Sequence, residues 1–170
     1  MLEIIKYDEN KHAALWDSFV WKSNNGTIFH TREFLTYHQD RNFQDCSFIF
    51  QNKNNIEALF TGAIIDNVLY SHPGASFGGF VYNELSFESG SKIVDLLVDF
   101  AQQKNLKEII IIPTPFIYYN KYNEVMEYCL YIKGCNIIEY YISSFVDLEI
   151  NLLEQMHNRK KRYIKKMEDK

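Results

Sequence analysis

Lys107-Glu-Ile-Ile-Ile-Ile112 is the stretch on which the fold turns. Four isoleucines follow one another without a polar alternate, and Pro113 closes the run. A half-buried antiparallel strand alternates apolar and polar residues. An unbroken apolar run reads as a strand covered on both faces, as in a parallel pair inside a sheet. Upstream, Ser89 or Ser91 can cap a helix reaching residue 104, with Ile93, Leu97, Phe100 and Ala101 at helical spacing. Before that helix the period is two. Residues 45–51 place Cys46, Phe48 and Phe50 on one side, and residues 56–65 form a longer strand. Asp66-Asn67 is a two-residue hairpin signal, and residues 68–71 complete an antiparallel three-strand meander. Meander, helix and covered strand together make a β-α-β crossover, expected to be right-handed.

The flanks extend this frame. Residues 2–6 read as a first strand and residues 8–21 as a helix with Trp16, Phe19 and Val20 on one stripe. Residues 22–26 are a polar loop. Thr31 can cap a short helix to His38, with Phe34 and Leu35 inward. Residues 72–86 read as one loop containing three glycines. Beyond Pro113-Thr-Pro115, Asn120 can cap a helix whose stripe is Tyr122, Val125, Met126, Cys129 and Leu130, ended by Gly134. Residues 136–148 read as one bent strand or two. Residues 151–170 read as a charged helix whose apolar positions, Leu152, Met156, Tyr163 and Met167, are sparse.

Composition bounds the function. The chain has 170 residues, 46% hydrophobic and 24% charged, as an ordinary folded domain does. The net charge of −4 is uneven: residues 158–170 carry seven Lys/Arg against two Asp/Glu, leaving eleven basic and twenty acidic residues before them. An acidic body argues against general duplex DNA binding, whereas the basic tail admits a tRNA contact beside the simpler reading of a solvated helix face. No stretch approaches the roughly 20 apolar residues of a membrane span. Cys46, Cys129 and Cys135 form no C-x-x-C pair, and free thiols suit a cytoplasmic protein.

The expected order, β-α-α-β-β-β-α-β-α-β-β, resembles the GNAT acyltransferase fold, a mixed sheet with flanking helices. Three stretches sharpen this: Trp16-Asp-Ser-Phe-Val, Asn25-Gly-Thr-Ile-Phe-His-Thr-Arg-Glu-Phe-Leu, and Ser71-His-Pro-Gly-Ala-Ser-Phe-Gly-Gly-Phe. They resemble the N-terminal half of the Fem-type (FemAB-like) branch, bacterial enzymes that transfer aminoacyl groups onto peptidoglycan precursors. The resemblance implies a half-domain at residues 1–148 and a basic connector at 149–170. It implies an acyl or aminoacyl group moved onto an amine of a cell-envelope or sugar acceptor, from an acyl-CoA or an aminoacyl-tRNA. A second GNAT-like half or a homodimer partner is implied as well. The alternative from another class is a non-catalytic half-domain that binds substrate or a partner. No metal is expected.

The candidate site follows from both readings. Gly74, Ser76, Phe77, Gly78 and Gly79 lie ahead of the crossover helix, where backbone amides and the helix dipole can hold a phosphate. Gly78→Val is expected to abolish ligand binding with the fold largely intact. No Lys or Arg lies between Lys53 and Lys92, which departs from the usual GNAT pattern and counts against acyl-CoA. His72 is a candidate general base, or else a scaffold residue of the loop. His30, Arg32 and Ser71 are candidates for acceptor binding, with Arg32 able to pair with an acidic group. Tyr118 and Tyr119, beyond the end of the covered strand, can line the cleft, and the Tyr118 phenol can protonate a leaving group. Each of these aromatics can equally be packing.

Overall fold

The structure is a computed structural model describing residues 1–37, 43–142, 144–145, 151, 154 and 156–168. The chain divides into two units, Met1–Asn136 and Ile137–Lys170.

The first unit is a mixed sheet with helices on both faces, the expected fold class. Its strands are β1 (Leu2–Lys6), β2 (Gln44–Asp45), β3 (Phe48–Asn52), β4 (Asn55–Thr61), β5 (Ala63–Ile65), β6 (Val68–Tyr70), β7 (Gly79–Tyr82) and β8 (Glu108–Ile110). The helices are α1 (Glu9–Lys22), α2 (Arg32–Thr36), α3 (Phe87–Gln103) and α4 (Val125–Ile132). The ladders run in the orders β1-β3-β4-β7 and β2-β5-β6-β8. All neighbours are antiparallel except β6 and β8, which are parallel with Leu69 opposite Ile109. The expected crossover into a parallel strand is therefore present.

Alternation explains why the central ladder is buried on both sides. Ile49, Leu59 and Val81 point to one face and pack with Trp16 and Val20 of α1. Phe48, Phe50, Ala58, Phe60, Phe80 and Tyr82 point to the other, against Ile93, Val94 and Leu97 of α3 and Met126 and Cys129 of α4. Adjacent residues on a strand face opposite ways, so two helical layers need apolar residues at consecutive positions. The Asp66-Asn67 turn is as expected, with φ of 49° and 68°, both in the left-handed region that such hairpins demand.

Several boundaries differ from the sequence reading. The strand expected over residues 56–65 is two strands, β4 and β5, which enter different ladders on either side of Gly62. Ser47 makes the joint: its Oγ accepts the Gly62 N–H at 3.2 Å. The loop expected over 72–86 contains β7, a fully buried strand hidden in the sequence by its brevity and by the glycines before it. Helix α3 is capped by Ser86, whose side chain accepts the Ser89 N–H, rather than by Ser89 or Ser91. Helix α4 starts at Val125, after Asn123 accepts the Val125 N–H, so neither Asn120 nor Tyr122 belongs to it. Among the described residues strand β8 ends its ladder and is only half-covered, although the run of isoleucines predicts an interior position. His38 lies outside the described residues.

In the second unit, residues 137–142 carry no helix or strand, where a strand was expected over 136–148. Among the described residues the tail contains the helix α5 (Asn158–Glu168), with no buried residue. Leu148, Leu152 and the 148/149 boundary lie outside the described residues. No helix among the described residues is long and apolar enough to cross a membrane.

Candidate functional site

The site is best built from the point where β6 and β8 part. Ser71 N donates to Ile110 O at 2.8 Å, continuing the ladder. One step on, Ile112 N donates to Ser71 Oγ at 2.8 Å, so a side chain replaces the backbone acceptor. The chain then leaves as a loop, residues 71–78, and returns with Gly78 N donating to Ile112 O at 2.9 Å. Beyond this, the next groups of β7 on that side, Phe80 O and Tyr82 N, pair with Asn25 instead of the chain after β8.

The loop is held tightly at both ends. His72 has φ of 36° and Gly74 has φ of 95°. His72 is buried, with its ring edge-on to Phe43 at 6.4 Å, whereas Ser76 is exposed. At Gly78 a Cβ would sit 2.8 Å from Thr61 Oγ1 and 3.0 Å from Ser71 O. Gly79, at φ +85°, donates its N–H to Thr61 Oγ1 at 2.8 Å. These two glycines are thus required by close approach and backbone conformation. Gly78→Val carries a packing penalty and is no clean probe of a ligand, contrary to the expectation from sequence.

Phe77 brings together residues that were nominated separately. It packs against Phe29 at 4.9 Å, His30 at 5.8 Å and Tyr118 at 5.4 Å. His30 is completely buried. Its Nδ1 accepts the Thr27 N–H at 3.1 Å, and its Nε2 lies 3.4 Å from Thr114 Oγ1. Burial lowers its pKa to about 4, so the ring is neutral at neutral pH. Because Nδ1 accepts, the proton sits on Nε2 and is directed at Thr114. Tyr118 is half-exposed beside this group.

Arg32 faces elsewhere. Its guanidinium lies 3.8 Å from the Tyr7 ring centroid and 5.2 Å from that of Trp16. It pairs with Asp45 and donates to Ser47 Oγ at 3.2 Å. The Asp45 carboxyl is held below its usual pKa: burial opposes this, and the Arg32 charge together with the hydrogen bonds from Ser47 and Arg32 outweighs it. Trp16 links the two regions, since its indole N–H donates to His30 O at 2.8 Å. An open cavity of about 560 Å³ adjoins Arg32, lined by Lys6, Tyr7, Glu9, Glu33, Thr36 and Asp45 among others. Charges of both signs line it.

The gap beyond β7 is filled by a clamp that sequence reasoning missed. Asn25 donates from Nδ2 to Phe80 O and accepts at Oδ1 from Tyr82 N, both at 2.9 Å. Its amide therefore pairs with β7 as a strand would. Asn24 N donates to Tyr82 O at 2.9 Å. On the far side, Asn24 Nδ2 donates to Lys121 O, Lys121 N to Asn24 Oδ1, and Asn120 Nδ2 to Ser23 O. Ser23, Asn24 and Asn25 thus bridge β7 to residues 120–121.

Behind the clamp lies a partly buried phenol-carboxyl group, of which Tyr82 is fully buried. Tyr119 donates to Glu127 Oε1 at 3.2 Å, and its oxygen lies 3.4 Å from that of Tyr82. Burial raises all three pKa values, Tyr119 to about 12. Tyr119 is therefore a member of this interior group, while Tyr118 faces the mouth. The signal for Asn25 was visible as Asn24-Asn25-Gly26, but nothing in a single chain ties that turn to a strand 55 residues later. Among the described residues no cluster of His, Cys, Asp and Glu could hold a metal. Cys46 and Cys129 are buried and Cys135 is exposed.

No protein-family model matches the chain, and no curated protein matches it. Among solved structures, it is similar to an aminoglycoside acetyltransferase from an uncultured soil metagenomic sample, crystallised in complex with trehalose. The TM-score is 0.47 at 15% identity, covering 86% of this chain and 96% of that one. Neither the activity nor the ligand of that protein is carried over to this chain.

Proposed function

We propose that the chain is an acyltransferase-type domain of the Fem-like GNAT class, acting on an amine acceptor of a small molecule or cell-envelope precursor. The supporting observation is the loop of residues 71–78, held at both ends by residue 112 while the next groups of β7 turn to Asn25 instead of the chain after β8, at the place where the resemblance puts the donor. In such a reaction the acceptor amine attacks the acyl carbonyl, and the new C–N bond forms as the leaving oxygen or sulfur departs with its electron pair. The amine proton is lost and the leaving group gains one. The domain's part is to position the amine and polarise the carbonyl. Tyr118, half-exposed beside Phe77, is placed to give a proton to the leaving group, and buried His72 is less suited to this role. The cavity beside Arg32 suits an acceptor bearing an ammonium, through Glu9 and Glu33, and an acidic group, through Lys6.

The Asn24–Asn25 clamp favours a donor other than acyl-CoA. It takes the β7 edge that an extended pantetheine would need. The same observation favours the second reading, a non-catalytic half that supplies acceptor binding to another unit.

The test incubates the chain with a panel of amino sugars and amino-terminated peptides, with acetyl-CoA or an aminoacyl-tRNA as donor. Mass spectrometry then looks for the new amide. Product from the aminoacyl donor alone is the expected result. Tyr118→Phe should lower that rate by about a hundredfold or more, the usual contribution of a general acid being about 10²–10⁴. No product with either donor replaces this reading with the second one.

A further inference from the structure

Residues 113–118 carry Tyr118 and are tied to the rest of the first unit by a single polar contact. Pro113 and Pro115 have no N–H to give. Tyr118 N donates to Pro115 O and Tyr119 N to Phe116 O, both at 3.0 Å, so these bonds stay inside the 3-10 turn Phe116–Tyr118 and its cap. Among the described residues, the one hydrogen bond that leaves residues 113–118 for another segment joins the Thr114 hydroxyl to His30 Nε2 at 3.4 Å. The flanks are held several times over. Ile112 is bonded to Ser71 and Gly78, and residues 119–121 to Ser23, Asn24 and Glu127.

His30 is itself fixed from three sides. Thr27 N donates to Nδ1 at 3.1 Å, the Trp16 indole N–H donates to the His30 carbonyl at 2.8 Å, and the Phe77 ring lies 5.8 Å away. With Nδ1 accepting, Nε2 carries the proton and Thr114 is its acceptor. Both partners are buried, His30 completely and Thr114 to 3% exposure. Thr114 stands four residues before Tyr118. Phe77, which meets the His30 ring, also stacks on the Tyr118 ring at 5.4 Å with 31° between the planes. His30 thus reaches Tyr118 by two routes, along the chain from Thr114 and across Phe77. Apolar contact is non-directional, whereas an N–H···O bond sets a distance and an angle. A valine would fill the place of Thr114 without fixing it.

We infer that His30 is a positioning residue for Tyr118, holding the turn that carries it through Thr114 and Phe77; its use in catalysis rests on the proton-donor role proposed above. All of these groups lie in the first unit. A proton donor carried on a loop needs such support, because a displacement of about 1 Å can cost about a hundredfold in rate.

The test is NMR of the full chain with two variants. Thr114→Val keeps the shape and loses the hydroxyl, and Thr114→Ser keeps the hydroxyl. In the wild type the His30 imidazole should carry its proton on Nε2, and the order parameters of Ile117 and Tyr118 should lie near the rigid value of about 0.85. Thr114→Val should shift the Nε2 resonance and lower those order parameters below about 0.6, and Thr114→Ser should restore both. Leu59 and Val81, in the central ladder, should keep their order in every variant. A proton on Nδ1, or a turn as rigid in Thr114→Val as in the wild type, overturns the inference. Loss of order at Leu59 and Val81 as well would mark a structural role alone and overturns it equally. In the transfer assay, Thr114→Val should lower kcat by about tenfold and leave KM within about twofold. A wild type that forms no product refutes the proposed activity, while the NMR readings still decide the positioning. A Thr114→Val protein with wild-type kcat refutes the positioning and leaves the activity standing.

Discussion

Asn25 shows how much one side chain can decide. Its amide meets both the acceptor and the donor of β7, at Phe80 O and Tyr82 N, in a place closed to water. Truncation leaves two buried backbone groups without partners, at about 1–3 kcal/mol each. Asn25→Ala should therefore lower stability by about 2–4 kcal/mol in urea unfolding. His30 gives a pH signature. Its folded pKa, about 4, lies below the ordinary 6.5, so the unfolded chain binds the extra proton first as pH falls. The neutral-ring fold is unpenalised above pH 6.5, and stability drops as pH falls from there to about 4. Between pH 7.5 and 5 the loss attributable to this residue should be about 2 kcal/mol, and His30→Gln should remove that part of the slope. Gly78→Val should cost about 3 kcal/mol or more, because the new side chain meets Thr61 and the Ser71 carbonyl.

At the scale of elements, patterns within one segment were legible and pairings across the chain were not. The α1 stripe, the Asp66-Asn67 turn and the parallel strand at 108–110 all follow from local spacing. The break between β4 and β5 does not, because it is made by Ser47, from the link between β2 and β3. Strand β7 was missed since four residues after two glycines resemble a loop until β4 is beside them. The start of α3 was misplaced by three or five residues because several serines there can cap. Ser86 does so, and Ser86→Ala should lower the melting stability by about 1 kcal/mol, while Ser91→Ala should not. The candidate site shows the same division. The glycine loop, His30 and Tyr118 were found by residue type, and Phe77 joins them. Arg32 was found too, but Tyr7, Trp16 and Asp45 hold its guanidinium, and these contacts are visible only in three dimensions.

For the whole molecule, residues 1–136 and 137–170 are two units with different physics. The first has a sheet covered on both faces, and the second has a helix with six Lys/Arg among its eleven residues and none of them buried. The outer edge of β7 is taken by the chain's own Asn24 and Asn25. The most direct test is amide NMR of the chain titrated with acetyl-CoA to millimolar concentration. The Gly79, Phe80, Val81 and Tyr82 resonances should stay where they are, since their edge is already taken. Saturable shifts on β7 would contradict this, showing that the clamp opens and that the donor is an acyl-CoA after all.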